Sequence, residues 1–486
     1  MMHQALLVPE VILEIFAYVN TIPSTQTSTQ KLFAGLARTC KIFYEPAMDL
    51  LWVEIHELEP LLGCVARLHP LIYHHSRTRW NEPWAKDVEP LSAHEVHQFL
   101  RHSSRIRTLD IKSEHPHLLS VIPAEACIFP KLKSLSLSTT YLNHFLPHML
   151  HRCHLLSVDE GLQSFVTRCI ALEHLRIYTP EICDGDSTAD ELSPLSDRIH
   201  WCTQLVTLAC PMLDWATWKH LSSLPTLLKL RIEQGCNDPS SLSKRDIVNL
   251  SFLNITTLFF QELYDPKDII TVMQHSQFPS LKEFAFEANY FFSEQAEQLF
   301  HALSHCRTLE EISICSYDDE FMGNDGSLTP IPHFLCFTQL RTLKLMLNNF
   351  HIYLDNDMLL QAMSSWPHIR TLEIDDSAFS SEVTLRGLFT ALGLCPQLHT
   401  LQVPIKIATI DIDPDAEPIQ HTSLRSLDLE SSEFQIADAE IIARIISAWL
   451  PCIDQVQNLY GLSWVEVNRH LRSLRAATAP HVVGAS

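Results

Sequence analysis

Glycine is scarce in this chain, with 11 among 486 residues, where an average protein has about 7%. That scarcity argues against glycine-rich phosphate loops, and no GxGxxG, P-loop or GxSxG pattern occurs. Basic residues are also in deficit. Lys and Arg total 35 against 57 Asp and Glu, a formal net charge of −22. Nucleic-acid affinity comes largely from Lys and Arg neutralising phosphates, so no nucleic acid is expected as a partner. Anionic membrane surfaces are disfavoured for the same reason, whereas a basic protein partner fits. No uncharged apolar run reaches the roughly 18 residues that a membrane span needs. The apolar start of the chain is broken by Glu10 and Glu14 and has no basic stretch before it, so no signal peptide is expected. The 14 cysteines include no CxxC pair. They read as reduced, mostly buried thiols of a cytoplasmic or nuclear protein.

What the chain does contain is a repeat. Hydrophobic residues make up 46% of it and charged residues 19%, enough apolar surface for a large core. From residue 106 onward an apolar triplet recurs: Ile106, Leu109, Ile111; Leu132, Leu135, Leu137; Leu172, Leu175, Ile177; Leu205, Leu208. It continues through Leu227, Leu230, Ile232; Leu258, Phe260; Leu281, Phe284, Phe286; Leu309, Ile312, Ile314; and Leu340, Leu343, Leu345. Ile369, Leu372, Ile374; Leu398, Leu401, Val403; and Leu424, Leu427, Leu429 complete it. From Leu109 to Leu427 there are 318 residues over 11 intervals, a mean period of about 29, at the long end of the leucine-rich-repeat range. Alternation at period two inside each set predicts a short strand with one buried face. Helical spacing between the sets predicts helices at Glu294 to Leu303 and Asp438 to Leu450, with Asp357, Ser381 and Asp438 as N-caps. Cys169, Cys202, Cys306 and Cys395, with Phe129, Phe278 and Phe337, share one phase of the repeat. A shared phase predicts packing rather than chemistry.

The first 55 residues do not follow the repeat. Ile12, Ile15, Phe16 and Val19 form an apolar stripe at helical spacing after Pro9 and Glu10; Leu36, Cys40 and Phe43 form a second, and Pro46 opens a third helix ending near Trp52. The run Leu7-Val8-Pro9-Glu10-Val11-Ile12-Leu13-Glu14-Ile15-Phe16 resembles the opening of an F-box. Leu36 to Phe43, followed by Glu45-Pro46-Ala47 and Leu51-Trp52, resembles its second half. Together they resemble the F-box-like proteins of mushroom-forming fungi, with a leucine-rich-repeat-like C-terminal part. Two departures stand out: Leu-Val replaces the usual Leu-Pro, with Pro9 one place later, and the polar insert Thr21 to Gln30 is long.

The fold expected is therefore α/β: a leucine-rich-repeat-like solenoid with concave parallel strands and convex helices, preceded by a small all-α F-box-like module. The boundaries are 1–55 for the module, 56–104 for a helical linker and cap, 105–475 for the solenoid and 476–486 for a disordered tail. The resemblance implies docking onto the Skp-type adaptor of a cullin ubiquitin ligase, through Pro9, Ile12, Ile15, Phe16, Leu36, Cys40 and Trp52. The alternative use of these residues is to close the module's own core. A protein substrate with a basic segment is expected on the concave face, at Arg176, Tyr178, Arg231, Phe259, Lys344, Glu373, Asp375, Asp428 and Glu430. Reversing the last four to Lys is expected to abolish capture and leave the fold intact. No cofactor, metal or catalytic residue is expected. Asp411, Asp413 and Asp415 begin like a calcium loop, but Ala416 and Thr422 stand where Gly and Glu are required. His144, His148, His151 and His154 with Cys153 form the densest group of zinc-type ligands, disturbed by Pro147. His94-Glu95-Val96-His97 is one residue short of the zinc-protease spacing. The competing reading is a repeat scaffold outside any ligase.

Overall fold

The computed structural model describes residues 8–21, 26–73, 88–111, 115–123, 128–137, 150–155, 171–178, 199–200, 202–233, 248–289, 291–317, 327–347, 350–375, 381–407, 409–413, 418–430, 438–457 and 464–478. The chain forms two compact units. One is Met1–Pro180 with Asp190–Cys210, the other Glu181–Ala189 with Pro211–Ser486.

The first unit opens with helices α1 (Pro9–Thr21), α2 (Gln26–Thr39) and α3 (Lys41–Trp52), then strand β1 (Glu54–Ile55) and helix α4 (Ala93–Phe99). Strands β2 (Thr108–Asp110), β3 (Ser134–Leu137), β4 (Arg152–Leu155), β5 (His174–Ile177) and β6 (Thr207–Cys210) follow. Every neighbouring pair is parallel, and the central anchors align across the sheet as Ile55, Leu109, Leu135, Cys153, Leu175 and Leu208. Two strands were not expected. Ile55 sits in a charged stretch, and β4 carries Cys where an aliphatic anchor was sought, so neither matched the triplet. Yet Leu150, Cys153 and Leu155 are buried like any other triplet. Ser92 caps α4: its hydroxyl accepts the Glu95 N–H at 3.4 Å, and the Glu95 carboxylate accepts the Ser92 N–H at 2.8 Å.

The second unit repeats the scheme with longer strands. They are β7 (Lys229–Glu233), β8 (Thr257–Leu263), β9 (Glu283–Ala288), β10 (Glu311–Ser316), β11 (Thr342–Leu347), β12 (Thr371–Asp375), β13 (Thr400–Pro404) and β14 (Ser426–Glu430). All pairings are parallel and anchor to anchor, from Leu230↔Leu258 through Phe284, Ile312, Leu343, Leu372 and Leu401 to Leu427. Parallel strands need a crossover, and helices supply it: α5 (Trp215–Ser222), α6 (Lys267–Gln274), α7 (Ser293–Leu303), α8 (Asn356–Ser365), α9 (Leu385–Leu392) and α10 (Ala439–Trp449), with α11 (Trp464–Thr478) at the end. In α7, Ala296, Leu299, Phe300 and Leu303 face inward as the spacing predicted. Asp438 caps α10 by accepting the N–H groups of Glu440 and Ile441 at 3.0 Å. The other two caps were misplaced: Asp355 caps α8 and Thr384 caps α9. Ser381 is instead buried, donating to the Leu354 carbonyl at 3.3 Å. The in-phase cysteines are packing residues. Cys202, Cys306 and Cys395 are buried, and burial pushes each thiol up to about 12. The Cys395 thiol donates to the Met363 carbonyl of the preceding repeat at 3.3 Å. Cys169 lies outside the described residues. Among the described residues no helix is long and apolar enough to cross a membrane. The fold is a leucine-rich-repeat-like solenoid.

Candidate functional site

The residues singled out from the sequence lie on the helical module of the first unit and on the solvent faces of the strands in each unit. In the first unit the helical module has a core of its own. Ile12, Phe16, Phe33 and Ala47 are buried together, with Val19, Leu36, Phe43, Leu50 and Leu51 packed against them. The Phe16 ring lies 6.1 Å from Phe33 and 5.7 Å from Phe43, centroid to centroid. This corrects the expected adaptor contact. Ile12 and Phe16 are 1% and 3% exposed and cannot meet a partner without unfolding the module. Leu36 is half-buried against the same core, and Cys40 is the half-buried residue that precedes α3. Pro9 opens α1, and its side chain lies outside the described residues.

The face of α1 that looks outward is a neighbouring stripe. Val8, Ile15 and Tyr18 are exposed at 43%, 41% and 71%. Leu13, Leu32, Ile42 and Tyr44 are exposed large hydrophobics on the same three helices. Among the described side chains, Ile15 is the one expected contact in this set. An apolar stripe left uncovered on an amphipathic helix is the usual anchor for a partner groove.

Trp52 plays a different part. Its ring stacks on His102, centroids 4.4 Å apart and planes 15° from parallel. Burial first, then the charges of Arg101 and Arg105, hold His102 down at about 4, so the imidazole is neutral in the stack at ordinary pH. Arg105 reaches the other way. Its guanidinium bonds the Glu45 carboxylate at 2.5 Å and the Asp49 carboxylate beside it. With β1 paired to β2, the module is stitched to the first repeat by a strand, a ring stack and an ion-pair fork.

The other candidate surfaces are the solvent faces of the strands, taken unit by unit. In the first unit they bear Arg176 over the Tyr178 ring, 5.6 Å from its centroid. In the second unit the register lines up Arg231, Phe259, Ala285, Ser313, Lys344, Glu373, Gln402 and Asp428 in one row. Phe259 is half-buried. Arg231 pairs with Glu233 at 2.7 Å and bonds Gln261. Lys344 pairs with Glu373 at 2.8 Å. Farther along, Asp375 and Asp428 are only 9% and 6% exposed, and Asp428 Oδ1 is sealed with no hydrogen-bond partner. Burial, and then the charge of Asp375, push the Asp428 carboxyl up to about 6. Both acids are therefore nearly buried rather than solvated. Reversing Asp375 and Asp428 to Lys would bury two ammonium groups, so that set of changes cannot leave the fold intact. The Glu430 side chain lies outside the described residues.

Among the described residues no group of three or more His, Cys, Asp or Glu could hold a metal ion. His151, Cys153 and His154 lie in the β4 segment, where Cys153 faces the core; His144 and His148 lie outside the described residues, as does Asp415. Asp411 is engaged as acceptor of the Arg386 N–H at 3.0 Å. His94 and His97 sit on α4, with Glu95 between them tied to Arg67 and Ser92.

No protein-family model matches the chain, and no curated protein matches it. Solved structures do. An internalin from Listeria monocytogenes is similar at 13% identity and a TM-score of 0.40, over 77% of this chain and 87% of that one. The Drosophila Toll–Spatzle complex is similar at 14% and 0.40, over 70% of this chain and 46% of that one. The yeast Rad7 and Elc1 complex is similar at 13% and 0.31, over 78% and 90%. Such identities bear on the fold alone, and the strand register already gives the fold.

Proposed function

We propose that this protein is a substrate-recognition subunit that docks onto a Skp-type adaptor, and through it a cullin, and holds a protein substrate on its repeats. The observation that carries the reading is the outward apolar stripe of Val8, Ile15 and Tyr18 on a helical module whose own core is already closed. The module's resemblance to an F-box supplies the identity of the partner. The repeats contribute a parallel-sheet face with an acidic surplus, to which a Lys- or Arg-rich segment is complementary. The chain does no bond chemistry in this reading. It raises the effective concentration of substrate beside the ligase.

The test is capture of purified Skp-type adaptor by the full chain. Ile15→Asp with Tyr18→Asp alters exposed positions, so stability should move by no more than about 0.5 kcal/mol. Adaptor affinity should fall at least about tenfold, the loss of one good anchor. Wild-type chain that captures no adaptor, or a double variant that captures it equally, removes the reading.

The seam at Trp52, His102 and Arg105 favours a second reading, in which the helices serve as the N-terminal cap of a scaffold outside any ligase. Terminal repeats need such closure. A cap predicts that deleting the module destabilises the first repeats and changes no partner binding.

A further inference from the structure

The chain has 57 acidic residues for 35 basic ones, so its cations have carboxylates at hand. In the first unit Arg67 takes Glu95 at 2.7 Å, and Arg105 takes Glu45 and Asp49. One group of cations there does not follow this rule. On three successive repeats the residue just before or at the strand start is basic: Arg107, Lys133 and His151. The backbone ladder runs through them, with the Lys133 N–H on the Arg107 carbonyl at 2.8 Å and the His151 N–H on the Lys133 carbonyl at 3.1 Å. Neighbours in a ladder lie about 4.8 Å apart. Lys131 joins them from the turn before β3, and Arg152 from the first position of β4.

Arg107, Lys131, Lys133 and Arg152 are all exposed. Among the described residues none of these four has a carboxylate partner, and only His151 touches one, Glu173 at 3.4 Å. Between them lies a half-open cavity of about 270 Å³, lined by Arg107, Pro130, Lys131, Leu132, Lys133 and His151. No acid lines it. Its positive surroundings are felt nearby: burial first, then Arg152, lower the neighbouring His174 imidazole, with Glu173 opposing. Like charges placed side by side across strands cost stability, and this row sits in a chain of net charge −22.

We infer that this notch is a binding site for a single compact oxyanion, a phosphate monoester or a carboxylate, closed on one side by the apolar wall of Pro130 and Leu132. Three cations converging on one group give charge-assisted hydrogen bonds of the strong kind. Lys133 and Arg107 reach it from adjacent strands, and Lys131 from the turn. A long polyanion is a poor occupant, because most of it would face the net negative chain. One charged group within a Debye length of about 8 Å meets chiefly the local cations. The site is independent of the adaptor reading, since neither Ile15 nor Tyr18 takes part.

Calorimetric titration of the full chain at fixed ionic strength tests this with inorganic phosphate, O-phosphoserine and acetate, chloride serving as the blank. Saturable binding of phosphate and phosphoserine but not acetate assigns a phosphate ester; binding of acetate as well assigns a carboxylate-type oxyanion. Lys131→Gln with Lys133→Gln should weaken binding by about tenfold or more, the loss of one to two charge-assisted bonds. The ligand-free melting temperature of that variant should stay level or rise, because a repulsion is removed. No saturable heat with any of the three probes overturns the inference, and so does binding that the double variant leaves unchanged.

Discussion

The helical module and the repeats of the second unit bury apolar surface in different ways. In the repeats each anchor between the end strands pairs with a copy on both sides, from Leu258 through Leu343 to Leu401. Loss of one is shared among neighbours, as nearest-neighbour stacking implies. The module has a handful of residues around Phe16, and a unit of that size is marginal by itself. What it lacks in core it recovers at the seam with β2. The comparison teaches where each part can change. The repeats spread their core over many alike anchors, whereas the module has one ring at its centre and an exposed outer stripe.

Phe16→Ala is the sharpest way to break that contrast. Burying no aromatic ring at the centre of three helices should cost about 3–5 kcal/mol, more than the module can hold in reserve. Hydrogen exchange should then show amides of α1 to α3 unprotected while β9 to β13 keep their protection. Equal loss of protection in both regions would mean that the two cores are not separate.

Acid should loosen the seam next. His102 falls from its ordinary 6.5 to about 4. A depressed imidazole contributes stability that is complete above 6.5 and is lost as pH falls toward 4, since the unfolded chain takes the proton first. The loss is at most about 3 kcal/mol. It should appear in α3 and the residues after α4, and His102→Phe, which keeps a ring against Trp52, should remove that pH dependence.

The sequence made the long-range order legible because a parallel register repeats the same triplet. Where the triplet is disguised, it failed: Cys153 stands in for a leucine only 18 residues after Leu135, and Ile55 has a two-residue strand. The candidate surfaces were less legible. On α1 two apolar stripes share helical spacing, Ile12-Phe16-Val19 and Val8-Ile15-Tyr18, and spacing alone does not say which one turns inward. Phe33 and Ala47 on α2 and α3 decide it by packing on the first. On the strands, alternation put Asp375 and Asp428 on the face opposite the anchors, and it carried no sign that both are nearly buried there. At Asp428 a segment distant in sequence closes in, since Gln457 bridges to it.

That burial gives the smallest effect and the one most informative about the repeats. The Asp428 carboxyl rises from 3.8 to about 6, by burial first and then by Asp375. For a raised acid the native state holds the proton longer. Its stabilising share is complete below 3.8 and lost as pH climbs through about 6, leaving a buried, unpaired charge at neutral pH. Asp428→Asn keeps the shape and removes the charge. It should stabilise the chain at neutral pH by about 1–2 kcal/mol, discounted from the full shift for solvent screening, and the gain should vanish below 3.8. Urea midpoints at the two pH values measure it. The same variant should weaken capture of a Lys-rich peptide by the repeats, because a carboxylate that is costly alone becomes favourable once a cation pairs with it. If Asp428→Asn destabilises at neutral pH, Asp428 is already satisfied within the chain, and the acidic end of the repeats is a structural element rather than a docking face.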